Sequence, residues 1–189
     1  MILPAEYYLN EDVLVLSRDL LGKYLFTKID GIITGGMIIE TEAYRGPEDR
    51  ASHAYGGRRT ARNEVMYSSG GVSYVYLCYG IHYLFNIVTN RVDTPHAILV
   101  RAIQPEVGIE MMLIRRKKQK IDSTLTSGPG SLTQALGIKI IHNGLPLAGP
   151  AIWIEDRKIK PAHIIASPRV GIDYAGPDAA LPWRFRIGN

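Results

Sequence analysis

The stretch SYVYLCYGIHYLFNIVT, residues 73–89, decides the fold. Both of its halves are rich in aromatic and β-branched residues, and Gly80 separates them. Because such residues favour strands and glycine permits a tight turn, the stretch predicts a β-hairpin with strands at Ser73–Tyr79 and Tyr83–Thr89. Strands joined in hairpins indicate an antiparallel sheet rather than a series of βαβ units.

The sequence on either side of this hairpin predicts further strands. These segments are short and apolar, and they lie at 23–28, 37–42, 97–100, 151–154 and 184–187. Asp30-Gly31 is a hairpin-turn signal between the first two, and Met37–Ile39 is expected to be buried on both faces. The chain is therefore predicted to be mixed α/β, a single domain over residues 1–189. We expect a curved, largely antiparallel sheet, a protruding β-hairpin and flanking helices.

A first helix is predicted from Glu11 to Leu21. Asn10 or Asp12 could cap its N-terminus, because both side chains accept hydrogen bonds from free backbone N–H groups. Gly22 suits the left-handed residue that follows a helix.

Two further helices are predicted in the second half of the chain. One has Pro105 in its first turn and ends in the basic run Arg115–Lys118, which is either a solvated face or a contact with nucleic acid. The other follows a glycine-rich segment. Ser131 and Gln134 have the spacing of a capping box at its start, and Gly137 ends it.

Composition excludes several classes of protein. The chain has 189 residues, 46% of them apolar, and a net charge of +4, which permits a polyanionic partner without requiring one. No stretch approaches the roughly 20 apolar residues of a membrane span. Cys78 is the only cysteine, so no intrachain disulfide can form and a reducing compartment is expected.

Seven of the eleven tyrosines fall between positions 44 and 83. They either belong to a strand-rich core with hydroxyls at its edge or line a wet aromatic pocket, and their clustering favours the pocket. Residues 45–71, rich in Gly, Arg, Asp and Ser, predict a long irregular loop. Loops of this length in compact domains are usually functional.

Two glutamates, Glu40 and Glu42, share one face of the strand that precedes this loop. Such a pair is either a solvated edge or, if desolvated, a source of a general base, because burial raises the pKa of a carboxyl group. Arg101, at the end of an apolar strand, needs an anionic partner. It could form a structural ion pair, or it could orient a catalytic carboxylate or a phosphate.

A metal site is the rival interpretation of this region. Glu48, Asp49 and His53 could join Glu40 and Glu42 in an oxygen-rich cluster, but their spacing matches no standard metal signature. We therefore expect no bound metal. No other cofactor is expected either, since the glycine-rich segment before Ser131 lacks the Gly-Lys-Ser/Thr of a phosphate-binding loop.

Taken in order, the motifs of this chain resemble those of the alkyladenine (3-methyladenine) DNA glycosylase family. The similarity spans almost the whole chain and rests on 40–53, 57–63, 74–80, Asn86, 99–102, 127–129, 134–136, 168–171 and 183–185. Each motif is weak alone, but the ordered set is specific. The short N-terminal region resembles a minimal, bacterial member.

The resemblance implies an enzyme that releases damaged purines from DNA. Glu42 and Arg101 resemble the pair that holds the attacking water, together with the carbonyl of Val170. No lysine among the matched motif residues could form a Schiff base, so a monofunctional glycosylase is expected. Its substrates would be bases such as 3-methyladenine, 7-methylguanine, hypoxanthine and ethenoadenine.

The resemblance also assigns the pocket and the residue that displaces the base. Tyr44, His53 and Tyr76 resemble the walls that stack a flipped base, and Asn86 resembles the residue that disfavours a guanine amino group. Tyr79 resembles the wedge that enters the minor groove, where it fills the gap left by the flipped base.

Double-stranded DNA containing damaged purines is thus the expected partner. The predicted contacts with the DNA backbone are Arg58, Arg59 and Arg62. The protein is expected to be a monomer that does not associate with a membrane. Its predicted location is the bacterial cytoplasm, associated with the nucleoid, or the nucleus if the source is eukaryotic. Two alternatives stay open: a metal-dependent hydrolase built on Glu42, Glu48, Asp49 and His53, and a nucleic-acid-binding module without catalysis.

Overall fold

Eight strands form one sheet in which every neighbouring pair is antiparallel. The computed structural model describes residues 1–188. The strands are β1 Tyr24–Ile29, β2 Ile32–Tyr44, β3 Ser73–Cys78, β4 His82–Thr89, β5 His96–Val107, β6 Ile152–Glu155, β7 Ile164–Ser167 and β8 Arg184–Ile187. They follow the order β3-β4-β5-β2-β1-β6, and β8 pairs with both β2 and β7.

The long strand β2 organises the sheet. It pairs with β5 along one side, while β1 and then β8 share its other side. Register shifts between Gly35 and Gly36, and on either side of Glu40, mark irregularities that bend a strand. Gly36 lets β2 approach β5 closely, because a Cβ atom there would collide with the carbonyl oxygen of Gln104.

Three α-helices and several 3₁₀ turns flank the sheet. The α-helices are α1 Val13–Asp19, α2 Ile109–Arg116 and α3 Pro129–Leu136. The 3₁₀ segments are Ala5–Leu9, Gly46–Glu48, Tyr55–Gly57, Glu64–Tyr67, Ile140–His142 and Asp173–Ala180. The main core lies between the sheet and the helices, and it includes Leu16 of α1, Leu132 of α3 and Phe85 of β4. The predicted mixed α/β fold with a largely antiparallel sheet is confirmed.

The start of α1 confirms one of the two predicted caps. The Asp12 carboxylate accepts hydrogen bonds from the N–H groups of Leu14 and Val15 at 2.8 and 3.2 Å. The helix is shorter than predicted at both ends, and Gly22, at φ +87°, lies in the turn that follows it.

Two helix starts were predicted wrongly. Pro105 lies within β5, opposite Gly36, because the register shift beside Gly36 gives proline an irregular position in the ladder. Gly108, at φ +70°, separates β5 from α2. Ser131 lies inside α3, whose N-cap is Gly128 with no side-chain cap, so the predicted capping box does not form. Gly137 ends α3 at φ +76°, as predicted.

Much of the basic run at the end of α2 is engaged within the chain. Arg115 donates to the carbonyl of Ala135, and Arg116 donates to the side chain of Gln134 at 2.6 Å. Lys118 pairs with Asp122 at 2.8 Å. These contacts hold α2 against α3 and the following loop, which favours a structural role for the arginines.

Two local features differ from the sequence pattern. Met37 and Ile39 are half-buried, whereas only Ile38 between them is fully buried, so the burial predicted for both faces is wrong. Strand β7 was not predicted; it is short and mostly half-buried.

Across residues 1–188, no helix is long and apolar enough to cross a membrane.

Candidate active site

A cleft of about 610 Å³ opens between the end of β2, the β3–β4 hairpin and the start of α3. A recess of about 40 Å³ adjoins it, and Tyr44, His53, Tyr76 and Tyr174 line both spaces. A separate groove of about 650 Å³ between α2, α3 and the β1–β2 turn holds none of the predicted site residues. Most of the predicted residues line the cleft or its recess; Glu42, Arg58 and Arg59 do not.

Glu42 is fully buried and lies behind residues that line this cleft. Its Oε1 accepts the N–H of Val170 at 2.8 Å and lies 3.3 Å from Arg101 Nη1, while its Oε2 accepts the hydroxyl of Tyr44 at 2.9 Å. All three partners line the cleft. Burial raises the pKa of Glu42, and the three donors together oppose that rise without cancelling it.

Arg101 joins the two glutamates of β2. Its Nε donates to Glu40 Oε1 at 2.9 Å, while Nη1 faces Glu42. Glu40 Oε1 also accepts Arg184 Nη1 at 3.1 Å, and Arg184 Nε donates to the carbonyl of Pro168 at 3.0 Å. Two glutamates and two arginines therefore balance in charge, and the network ties β2 to the segment that carries Val170.

That segment is anchored by a second, fully buried ion pair. Arg169 donates to both oxygens of Asp49 at 2.6 and 2.8 Å and to the carbonyl of Ala43 at 2.9 Å. Its guanidinium also lies 4.8 Å from the centre of the Tyr44 ring. The pair fixes the position of Val170, whose N–H rather than its carbonyl makes the observed contact with Glu42.

The recess has aromatic walls. The rings of His53 and Tyr76 meet edge to face at 4.6 Å, and Tyr44 lines the same space. His53 Nδ1 is 2.7 Å from the hydroxyl of Tyr74, and burial lowers the pKa of His53 to about 4, with help from nearby arginines. The imidazole is therefore neutral near pH 7. Asn86 also lines the recess and donates to the carbonyl of Tyr74 at 3.1 Å.

The loop at 45–71 positions His53 through a buried asparagine. Asn63 donates to the carbonyls of His53 and Arg58 at 2.9 and 2.8 Å and accepts the N–H of Thr60 at 2.7 Å. One side chain thus replaces the backbone pairing that a regular element would supply. The loop is irregular, as predicted, with three short 3₁₀ turns.

Tyr79 stands at the tip of the β3–β4 hairpin. It is 87% exposed and has φ +50°, so the turn aims a large aromatic side chain into solvent at the rim of the cleft. Ile81, two residues on, is 73% exposed. An exposed tyrosine at this position is unlike a core residue and agrees with the predicted wedge.

The three predicted backbone-contacting arginines differ in their engagement. Each of the three nitrogens of Arg59 donates to Glu64 or Asp93, so its guanidinium is engaged within the chain in this structure. Arg62 lines the cleft and lies 5.4 Å from the Tyr76 ring. Arg58 is exposed.

The rival metal cluster is not assembled. Asp49 is bonded to Arg169, Glu48 lies 3.4 Å from Arg45, and His53 faces Tyr74. Within residues 1–188, no group of three or more His, Cys, Asp and Glu side chains could hold a metal ion.

Sequence reasoning assigned no role to Arg169, Arg184 or Tyr174. It treated Asp49 only as a possible metal ligand and Tyr74 only as part of the tyrosine cluster, whereas Asp49 pairs with Arg169 and Tyr74 contacts His53. A buried ion pair between residues 120 positions apart leaves no local pattern. Arg169 does belong to one of the motifs on which the family resemblance rests, Pro168-Arg169-Val170-Gly171, and this motif is the signal that could have pointed to it.

Comparison with known proteins assigns the family. The family described as methylpurine-DNA glycosylase (MPG) matches residues 7–189. The chain belongs to the methylpurine-DNA glycosylase family. This confirms the resemblance stated above and places the chain among the DNA glycosylases of DNA repair.

Relatives of nearly the same length support the assignment to the methylpurine-DNA glycosylase family. Proteins named "Putative 3-methyladenine DNA glycosylase" from Chlamydia felis and Chlamydia abortus are each 51% identical over 187 residues, covering 98% of this chain and 96% and 98% of theirs. One of the same name from Desulfitobacterium hafniense is 44% identical over 192 residues, covering 98% of this chain and 94% of its own.

Proposed function

We propose that this chain is a monofunctional DNA glycosylase that hydrolyses the N-glycosidic bond of damaged purines flipped out of duplex DNA. One observation carries the proposal: Glu42 is a fully buried carboxylate, and its two hydrogen-bond donors, Tyr44 and Val170, and its ion-pair partner, Arg101, all line the cleft. A desolvated carboxylate held by donors suits a general base.

The reaction proposed for Glu42 conserves atoms and charge. A water held by Glu42 loses a proton to the carboxylate as its oxygen bonds to the sugar C1′. The C1′–N bond breaks, and its electron pair stays on the base nitrogen. The ionised carboxylate also stabilises the positive charge that develops at C1′. A base that is already cationic leaves neutral, whereas a neutral base must gain a proton on a ring nitrogen.

The aromatic recess supports damaged purines as the substrate class. Purines alkylated at ring nitrogens carry positive charge, and the faces of Tyr44 and Tyr76 attract cations. The relatives' names specify 3-methyladenine. We propose 3-methyladenine and 7-methylguanine as cationic substrates, and hypoxanthine and ethenoadenine as neutral ones.

The proposed base flipping rests on the hairpin tip. Tyr79 would enter the minor groove and occupy the space of the flipped nucleotide, while the damaged base enters the recess from the cleft. Arg58 and Arg62 are the proposed contacts with DNA phosphates, and one protein molecule acts on one duplex.

The residues that line the cleft and the recess support attack by water rather than by an amine of the enzyme. A glycosylase of this kind does not cleave the DNA strand. In the described part of the chain, none of the residues that line the cleft or recess is a lysine. A Schiff-base intermediate would need such an amine.

Release of the free base is the direct test. Duplexes that carry a single hypoxanthine or ethenoadenine are incubated with the protein, and free base and strand breaks are measured separately. The proposal expects free base together with an intact strand that breaks only after alkali. Strand cleavage without alkali would contradict the monofunctional mechanism, and binding without base release would favour a non-catalytic DNA-binding module.

A further inference from the structure

The hydroxyl of Tyr44 links the base-binding recess to Glu42. Tyr44 follows Glu42 by two residues in β2, so both side chains lie on the same face of the strand. Its ring lines the cleft and the recess, and its hydroxyl donates to Glu42 Oε2 at 2.9 Å. One side chain therefore touches both the space for the base and the carboxylate.

The two oxygens of Glu42 are not equally occupied. Oε1 faces two donors, the N–H of Val170 and Arg101 Nη1. Oε2 accepts only the hydroxyl of Tyr44 among the residues that the structure describes. Because each carboxylate oxygen can accept about two hydrogen bonds and Arg101 also crowds Oε1, the less occupied oxygen is Oε2, beside the Tyr44 hydroxyl.

The ring of Tyr44 is held in place from its buried side. The Arg169 guanidinium lies 4.8 Å from the ring centre and is itself clamped by both oxygens of Asp49. Burial raises the pKa of Tyr44 well above its usual range, so the hydroxyl keeps its proton and acts as a donor. Its orientation toward Glu42 thus exists before any substrate binds.

We infer that the Tyr44 hydroxyl is a positioning group for catalysis, which favours ionised Glu42 and directs the attacking water to Oε2, the less occupied oxygen. The side chain that stacks on the damaged base thereby also orients the carboxylate that activates the water. This inference rests on the proposed function of Glu42 as the general base.

The inference predicts a specific pH dependence. The hydroxyl of Tyr44 is one of the groups that lower the pKa of Glu42 against the effect of burial, so removing it raises that pKa. Less Glu42 is then ionised at a given acidic pH, and the acid limb of the pH–rate profile moves to higher pH. The expected shift is about one pH unit, the size typical of one hydrogen bond to a charged group.

Other groups around Glu42 stay constant in this comparison. Glu40 raises the pKa of Glu42, and Arg101 lowers it. His53, with a pKa of about 4, is neutral above that pH. The charged groups that face Glu42 from neighbouring segments are Glu40, Arg101, Arg169 with its partner Asp49, and Arg184 through Glu40.

Tyr44→Phe tests the inference, with Tyr76→Phe as the matched control. Both variants lose one hydroxyl from the recess and keep the aromatic ring, but only Tyr44 is bonded to Glu42. Single-turnover excision is measured with saturating enzyme across the acid limb, together with lesion binding and melting temperature. Tyr44→Phe is expected to bind lesion DNA within about threefold of wild type, since the stacking ring remains. Its acid limb moves up by about one unit, which lowers the rate about tenfold on that limb. The acid limb of Tyr76→Phe is expected to stay at the wild-type pH, even if its maximal rate changes.

A second variant gives the opposite shift. The hydroxyl of 3-fluorotyrosine at position 44 is a stronger donor, so the acid limb should move to lower pH. If the acid limb of the pH–rate profile stays at its wild-type pH in both Tyr44 variants, the inference is refuted. If Tyr44→Phe does not fold, the shift in the folded 3-fluorotyrosine protein alone tests the inference. Glu42→Gln is measured in the same series. Normal excision by Glu42→Gln would refute the proposed function itself. If Glu42→Gln loses excision but the acid limbs of the Tyr44 variants do not move, only the role of Tyr44 is refuted.

Discussion

Neutralising Asp49 is expected to cost more stability than any other conservative change at this site. Each oxygen of Asp49 accepts two donors: Oδ1 accepts the N–H of Ala51 and Arg169 Nη2, and Oδ2 accepts the N–H of Arg45 and Arg169 Nη1. In Asp49→Asn, the amide nitrogen faces two donors whichever way the side chain turns. Arg169 is left buried without a compensating charge.

The magnitude follows from the complete burial of the pair, since both side chains are 0% exposed. Removing one partner of a buried ion pair costs about 3–5 kcal/mol. For a chain of this size, each kcal/mol lowers the melting temperature by about 2–4 °C, so Asp49→Asn should melt about 6–20 °C below wild type. Arg59→Met is the control. Arg59 and Glu64 approach equally closely, at 2.6 Å, but their side chains are 46% and 56% exposed, and solvent screens their interaction.

Thermal unfolding followed by circular dichroism measures both variants. Asp49→Asn should melt far below Arg59→Met, which should stay close to wild type. Equal melting temperatures for the two variants would refute the reasoning, because they would show that burial does not distinguish the two pairs.

Three further predictions concern DNA and metal. Tyr79→Ala should slow excision of a paired lesion more than that of a lesion in a bulge, where flipping is easier; equal losses on both substrates would show that Tyr79 does not assist flipping. Binding to undamaged duplex should weaken with salt, and each phosphate neutralised adds about 0.9 to the slope of log affinity against log salt concentration, so a salt-independent affinity argues against a DNA partner. Excision should persist in EDTA, because the proposed mechanism needs only the Glu42 carboxylate; loss of turnover that a divalent ion restores would contradict it.

The sheet could be predicted from the sequence because its signals are local. The hairpin of β3 and β4 follows from a run of aromatic and β-branched residues around Gly80, and Asp30-Gly31 marks the turn between β1 and β2. Pro105 misled the prediction for the opposite reason. Proline suits the first turn of a helix, but it also fits an irregular strand position, and only pairing with distant Gly36 decides between them.

The candidate site could be named from the sequence but not assembled from it. Family-like motifs pointed to Glu42, Arg101 and Val170, and these residues do meet. The contacts that set the chemistry join residues far apart in the chain, as in Val170 with Glu42, 128 positions away. Burial of a glutamate likewise depends on packing from several elements, so the sequence left a desolvated Glu42 with a raised pKa and a solvated edge as alternatives, and only the structure decides between them.

The role of Glu42 is tested most directly by comparing Glu42→Gln with Glu40→Gln in single-turnover excision and in binding to lesion DNA. Glutamine keeps the shape of Glu42 but removes its charge and most of its basicity. Glu42→Gln should therefore bind nearly as well as wild type and excise at least about 100-fold more slowly. Glu40→Gln should be far milder, because the Glu40 carboxylate is hydrogen-bonded to Arg101 and Arg184 and is not the proposed base. Near-normal excision by Glu42→Gln, or a greater loss in Glu40→Gln, would contradict the assignment of Glu42 as the general base.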